Sequence, residues 1–138
     1  MICDTSGLLA ALWHDQPESE GCVEAMNTAE SLVVPTTVLA ELDYMVDQRV
    51  GAGAAISAIR EFSSGEYDIP TFGGSDLARA AEVMTIYVDL RLGLVDASLI
   101  VLAKRYKTHD ILTLDQRHFR VVRSLSGRPF RLFPFDAE

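Results

Sequence analysis

The chain alternates short apolar, β-branched runs with longer stretches of helical periodicity, and this alternation restricts its fold more than any other feature. The short runs predict five strands, at residues 1–3, 31–34, 67–70, 111–114 and 130–133. Between them the predicted helices span residues 6–13, 17–29, 36–46, 54–62, 75–87 and 96–106. Alternating strands and helices form a parallel sheet with helices on both faces. We therefore predict a three-layer α/β/α fold with a central, mostly parallel sheet of four or five short strands.

The bulk properties of the chain are those of a small globular domain. A length of 138 residues predicts a single domain, residues 1–138, and 49% of the residues are hydrophobic. No stretch approaches the ~20 apolar residues that span a bilayer, and the N-terminus has no export signal. Cys3 and Cys22 are too few for a disulfide framework, so we expect reduced thiols. These features predict a cytoplasmic protein with no membrane partner.

The net charge of −8 by itself argues against a nucleic-acid partner, because phosphate groups repel an acidic protein. The charge is unevenly distributed, however. Residues 1–103 carry 4 basic and 16 acidic side chains, whereas residues 104–138 carry 8 basic and 4 acidic ones. This asymmetry is compatible with two functional faces or with a charged partner.

Four acidic residues occupy positions that the fold would bring to one edge. Asp4 and Asp115 follow the first and fourth predicted strands, and Glu41 and Asp96 lie on apolar helix stripes near helix starts. In parallel α/β sheets the carboxyl ends of strands and the starts of helices share an edge, where ligands bind. Each acid also has a structural alternative, such as a helix N-cap for Asp4 or Asp96 and a loop or cap position for Asp115.

Carboxylates that are buried together require a compensating positive charge. Mg²⁺ prefers oxygen ligands, and Mn²⁺ is a plausible substitute. Such an ion can hold phosphate oxygens and activate a water molecule for attack on a phosphodiester. The hydroxyls of Thr5, Ser6 and Thr113 are candidates to orient ligands or water around it. The sequence thus predicts a metal-dependent hydrolase site.

Four segments, ICDTSGL, VLAEL, GLVDASLIVLAKRY and ILTLDQRHF, occur in this order along the chain. In order and spacing they resemble the PIN-domain ribonucleases, and among these the VapC toxins of bacterial toxin–antitoxin pairs, especially the mycobacterial type. The resemblance covers essentially the whole chain and implies a PIN-like fold. By position it also implies that Asp4 and Asp96 are the principal Mg²⁺ ligands, with Glu41 as the third acid and Asp115 as the fourth, which often acts through water.

The same resemblance implies a function and partners. It places the hydroxyls of Ser6 and Thr113 near the metal, so that the catalytic set is Asp4, Glu41, Asp96, Asp115 and Ser6. It implies an endoribonuclease that cuts structured RNA, tRNA or rRNA. It further implies a homodimer and a cognate VapB-like antitoxin whose C-terminal tail fills the acidic cleft.

The basic C-terminal part of the chain supplies candidate RNA-binding residues, namely Arg117, His118, Arg120 and Arg123. A solvated charged face is an equal alternative for the arginines, and fixing the turn after the fourth strand is the alternative for His118. Residues 44–46 and the predicted helix 54–62 are a candidate groove for an antitoxin helix, with core packing as the alternative.

Two other functions remain compatible with the fold. One is a non-catalytic RNA- or partner-binding module, which would bind the same ligands without metal. The other is a metal-dependent, structure-specific nuclease that acts on DNA. A hydrolase of small phosphates is disfavoured, because Thr5 and Ser6 follow Asp4 where that class places a second aspartate two residues on.

Overall fold

The computed structural model describes residues 1–138 and has the predicted α/β architecture. Its strands are β1 (Ile2–Cys3), β2 (Asp110–Leu112) and β3 (Arg131–Phe133). Its helices are α1 (Thr5–Leu12), α2 (Ser19–Thr28), α3 (Thr36–Arg49), α4 (Ala52–Phe62), α5 (Gly74–Ile86), α6 (Leu94–Arg105) and α7 (Gln116–Phe119). A 3₁₀ turn, Val88–Leu90, joins α5 to α6. None of these helices combines the length and apolar character needed to cross a bilayer.

The sheet has the order β1–β2–β3, and both strand pairs are parallel. Ile2 lies opposite Ile111, which in turn lies opposite Leu132. On the free side of β1 the sheet continues only through single parallel bridges, from Ile2 to Val33 and from Val33 to Asp68. The sheet is therefore smaller than the four or five strands expected from the sequence.

The strands expected at residues 31–34 and 67–70 are present only as these bridges. Each segment meets a proline, Pro35 or Pro70, shortly after its bridging residue. Proline has no backbone N–H to donate to a neighbouring strand and therefore ends the ladder. The two segments still run parallel to the sheet, so the predicted topology is retained. Their backbone pairing is shorter than predicted.

Helices cover both faces of the sheet. Ile2, Cys3, Ile111 and Leu112 are fully buried. Because neighbouring side chains along a strand point to opposite faces, the burial of consecutive residues requires a covering layer on each side. Helix α6 packs against β1, and α2 packs against β2 and β3. The buried apolar residues of strands and helices form one core cluster.

Gly7 allows α1 to pack closely against β2. A Cβ atom at this position would lie 2.6 Å from Leu112 Cγ and 2.8 Å from the Leu112 carbonyl oxygen. That oxygen accepts a hydrogen bond from the Asp4 N–H at 2.9 Å, so it cannot move freely. We expect Gly7→Ala to lower the free energy of unfolding by about 1–3 kcal/mol, as overpacking substitutions do, although alanine favours helix by about 1 kcal/mol. Urea denaturation measures the difference.

The matched control is Gly53→Ala in the first turn of α4, where an added Cβ atom meets nothing within 4 Å. This variant should be as stable as the parent or slightly more stable. If Gly7→Ala and Gly53→Ala change stability equally, close packing of α1 on β2 is not the reason for glycine at position 7.

Candidate active site

The strand order creates a crevice at the carboxyl edge of the sheet. After β1 the chain continues to the segment around Val33, which pairs with one side of β1. The strand β2 pairs with the other side of β1, so the strand order reverses at β1. Open α/β sheets bind ligands where the strand order reverses in this way, outside the carboxyl ends of the strands. Asp4 directly follows β1, and Thr113 and Asp115 follow β2. The acids predicted at strand ends therefore lie at this crevice.

Asp4 is the buried acid of the crevice, with 5% of its surface exposed. Its Oδ1 accepts the backbone N–H of Thr5 at 2.8 Å, which makes Asp4 the N-cap of α1. Its Oδ2 accepts from the hydroxyls of Thr113 at 2.7 Å and Ser6 at 3.2 Å. The buried Oγ1 of Thr5 has no hydrogen-bond partner. Asp4 therefore caps α1 with one carboxylate oxygen while the other oxygen binds Ser6 and Thr113. The helix-cap alternative and a functional role do not exclude each other.

The hydroxyls of Ser6 and Thr113 link the end of β1 to the end of β2. The backbone N–H of Leu114 donates to Ser6 Oγ at 2.9 Å, and that of Asp115 donates to Thr113 Oγ1 at 3.0 Å. Each hydroxyl accepts from the backbone after β2 and donates to Asp4. These contacts hold the Asp4 carboxylate in one orientation.

Asp96, Asp115 and His118 form a second group in the crevice. Asp115 caps α7, because its Oδ1 accepts the backbone N–H of His118 at 3.0 Å. The other oxygen, Oδ2, lies 2.9 Å from His118 Nδ1, and Asp96 Oδ2 lies 3.7 Å from the same nitrogen. One ligand atom from each of the three side chains lies within 4.8 Å of the others.

Asp96 lies in the first turn of α6, and the N-cap of that helix is Gly93. The alternative in which Asp96 itself is the N-cap is therefore wrong. The nearby backbone of Gly93 lowers the pKa of Asp96 and so favours its charged form, although burial has the larger, opposite effect. The Asp96 side chain faces His118.

The acids influence one another electrostatically. Burial raises the pKa of Asp4 to about 6, the hydrogen bond from Thr113 opposes this rise, and the charges of Asp96 and Glu41 add to it. Burial is also the main cause that raises the pKa of Asp96. Asp115 and Glu41 reinforce that rise, whereas His118 lowers it.

Glu41 lies at the rim of the crevice rather than inside it. Its neighbours on the α3 stripe, Val38 and Leu42, are buried, but the Glu41 side chain is exposed. Its charge nevertheless raises the pKa of both Asp4 and Asp96, so it acts on the same site. The structure therefore brings the four predicted acids to one crevice at different depths.

The donor set fits a divalent cation. Carboxylate oxygens are the ligands that both Mg²⁺ and Mn²⁺ prefer. Burial is the main cause that raises the pKa of Asp4 and of Asp96, so the charged forms of both carboxylates are disfavoured. Because burial disfavours ionised acids, a bound cation would stabilise the charged crevice.

The basic residues predicted to contact RNA have different surroundings. Arg120 binds both carboxylate oxygens of Asp136, at 2.7 and 2.8 Å, and also contacts Gln116. Arg117 and Arg123 are exposed and form no ion pair. Of the three arginines predicted to contact RNA, Arg117 and Arg123 therefore have guanidinium groups free of an acidic partner, and Arg120 does not.

Two features of the site are not evident from the sequence pattern. His118 contacts two acids, and its i,i+3 spacing from the cap residue Asp115 could have indicated the contact with Asp115 but not the one with Asp96. Arg49 lines a cavity of about 320 Å³ together with Ser6 and Asp115. Its position depends on how α1 packs against α3, and no local motif reveals that packing.

Comparison with known proteins shows the family of the chain. The family model described as PIN domain matches residues 1–124. The chain is 42% identical to Ribonuclease VapC26 of Mycobacterium tuberculosis over 135 residues, which cover 97% of this chain and all of that protein.

Similar folds are found among solved structures at low sequence identity. One is M. tuberculosis VapC20, described as a sarcin–ricin loop cleaving toxin (TM-score 0.76, 16% identity, 83% of this chain and 89% of that one). A second is VapBC2 of Rickettsia felis bound to a fragment of its promoter DNA (TM-score 0.67, 17% identity, 95% and 96%). A third is FitAcB of Neisseria gonorrhoeae (TM-score 0.59, 17% identity, 83% and 86%).

The chain belongs to the PIN-domain family. Its fold is the one that the resemblance of its four sequence segments implied. Within the family it is of the VapC type, the type of its relative with 42% identity.

Proposed function

We propose that this protein is a Mg²⁺-dependent endoribonuclease that cleaves structured RNA, tRNA or rRNA, as the toxin of a type II toxin–antitoxin system. The observation that carries the proposal is the meeting of Asp4, Asp96 and Asp115 at the carboxyl edge, with the pKa of Asp4 raised to about 6. Such a site attracts a cation, and a phosphodiester brings oxygens that the cation can bind.

Asp4 and Asp96 would hold the metal, and Glu41 and Asp115 would complete its surroundings directly or through water. When bound, Mg²⁺ supplies positive charge for the phosphate and a lowered pKa for an attacking water. The protein contributes the fixed orientation of Asp4, which two hydroxyls and one backbone N–H hold in place. Ser6 is therefore an orienting residue, and Thr113 has the same role.

RNA is the preferred substrate because the relative with 42% identity is named a ribonuclease. The structurally similar VapC20 is described as cleaving the sarcin–ricin loop, which is a structured RNA. Arg117 and Arg123 are the proposed phosphate contacts, since both are exposed and free of acidic partners. Arg120 and His118, which the sequence also suggested, already bind acids of the same chain.

A VapB-like antitoxin and a second copy of the chain are the proposed protein partners. Two of the similar structures, VapBC2 and FitAcB, are complexes by name. Next to the crevice, a cavity of about 240 Å³ lies between α1 and α3 and is lined partly by Trp13, Met45 and Val46. The exposed Ile86 and Val88 would provide apolar surface for a homodimer. Light scattering after size exclusion determines the mass of the free toxin and of the mixture with antitoxin.

Comparing RNA cleavage in Mg²⁺ with cleavage in EDTA tests the proposed activity. We expect end-labelled tRNA or rRNA fragments to be cut at discrete positions in Mg²⁺ and to remain intact in EDTA. Excess Mn²⁺ should restore cleavage, because it accepts the same ligands.

The other outcomes identify the alternatives. RNA that is bound but uncut in Mg²⁺ and in Mn²⁺ would indicate a non-catalytic binding module. Cleavage of a DNA strand of matched sequence, with RNA left intact, would indicate a DNA nuclease. Cleavage that persists unchanged in EDTA would exclude the metal-dependent mechanism.

A further inference from the structure

We propose that His118 is a positioning residue of the metal site, in which its ring N–H holds the Asp115 carboxylate beside Asp96. This inference deepens the proposed function and rests on it. His118 lies in the crevice with 20% of its side chain exposed, and its ring lies between two of the proposed metal-binding acids.

The first argument is that His118 contacts both oxygens of one carboxylate. Its backbone N–H donates to Asp115 Oδ1 at 3.0 Å, and its Nδ1 lies 2.9 Å from Asp115 Oδ2. An ionised carboxylate can only accept hydrogen bonds, so Nδ1 carries the proton in this contact. With one donor on each oxygen, the Asp115 carboxylate is fixed in plane and in direction.

The second argument concerns the spacing between the two acids. Asp96 Oδ2 lies 3.7 Å from His118 Nδ1, so the ring nitrogen separates two groups of like charge. Without this N–H the carboxylates would repel each other, and Asp115 would be free to turn toward solvent. The imidazole therefore keeps Asp115 near Asp96, where both can share one cation.

The third argument is that the position of the ring is itself determined by packing. The next residue, Phe119, is buried, and its ring packs edge-on against Phe130 with centroids 6.3 Å apart. This contact anchors the short helix α7, which Asp115 caps at its start. His118 thus occupies a fixed place between a buried anchor and the acid that it orients.

Two isosteric variants test the proposal. Asparagine places an amide N–H near the position of Nδ1, whereas glutamine reaches the position of Nε2 and cannot make the same bond. We expect His118→Asn to bind Mn²⁺, measured by electron paramagnetic resonance, within about threefold of the parent. His118→Gln and His118→Ala should bind Mn²⁺ about 10- to 100-fold more weakly, as is typical when a partner of a metal ligand is removed.

Single-turnover cleavage gives the second readout. The half-saturating Mg²⁺ concentration should rise for His118→Gln and His118→Ala in the same proportion as the Mn²⁺ dissociation constant, while the affinity for RNA in the absence of metal stays unchanged. Thermal unfolding of each variant in EDTA checks the fold, which the backbone bond between Asp115 and His118 should preserve.

Each result distinguishes this inference from the function on which it rests. If His118→Ala binds Mn²⁺ like the parent while Asp96→Asn does not, the positioning role is wrong and the proposed function stands. If His118→Asn binds Mn²⁺ as weakly as His118→Ala does, a ring nitrogen of His118 is itself a metal ligand, and the positioning role is again wrong. If Asp96→Asn binds Mn²⁺ as tightly as the parent, the proposed metal site fails.

Discussion

Replacing Asp96 by Asn is expected to abolish metal-dependent RNA cleavage while leaving the protein folded. Asp96 is one of two proposed principal metal ligands, and it lies at the start of α6 facing His118. Asparagine retains an oxygen but loses the charge that attracts the cation. A loss of about 4 kcal/mol of transition-state stabilisation lowers the rate about 1,000-fold. Single-turnover cleavage in saturating Mg²⁺ measures it.

The fold should be unaffected or slightly more stable, because the substitution removes a charge whose pKa burial and neighbouring acids raise. Asp89→Asn is the matched control, since Asp89 is an exposed acid in the 3₁₀ turn before α6. It should cleave RNA at the parental rate. Cleavage by Asp96→Asn at the parental rate would show that Asp96 is not a metal ligand of the reaction.

Asp4→Asn is expected to gain stability relative to the parent, in the absence of metal, as the pH rises from 4 to neutral. Burial raises the pKa of Asp4 to about 6, from 3.8. Between these values the folded protein binds more protons than the unfolded chain, so stability falls as pH rises through this window and the loss persists above it. The difference in unfolding free energy between the two proteins should therefore shift by about 2.5 kcal/mol in favour of the variant between pH 4 and pH 7. Urea denaturation in EDTA measures both proteins.

Added Mg²⁺ should reverse this advantage. The cation binds the folded wild-type protein and stabilises it by mass action, about 2.7 kcal/mol at a concentration 100 times the dissociation constant. Asp4→Asn should gain little from the same addition. Asp43→Asn, which removes an exposed acid from α3, controls for the loss of one negative charge. If the stability advantage of Asp4→Asn does not change with pH, the charge of Asp4 is not a source of instability.

The placement of two acids at one edge of the sheet could be predicted from the sequence because it depends on where strands end. Asp4 and Asp115 each follow a short apolar run, and parallel strands bring such residues to one edge whatever their separation along the chain. The depth of each acid could not be predicted. Burial of Asp4 and exposure of Glu41 depend on how the helices pack, and helical periodicity identifies only the stripe on which a residue lies.

Features that depend on two distant segments of the chain could not be predicted correctly from the sequence. The outer strands are shorter than expected because residues 31–34 and 67–70 have few partners and end at prolines. The contact between His118 and Asp96 joins α7 to α6, and no pattern within either segment indicates it. The space that Gly7 leaves for Leu112 is likewise defined by a strand more than a hundred residues later.

One of the three hydrogen bonds that orient the Asp4 carboxylate comes from Thr113, 109 positions later in the chain. On a translating ribosome, the first acid of the site emerges long before Thr113 and Asp115 have been synthesised. A nascent chain therefore lacks the organised acidic crevice until nearly all of its sequence has left the exit tunnel. Premature termination anywhere before β2 would yield fragments without the proposed metal site.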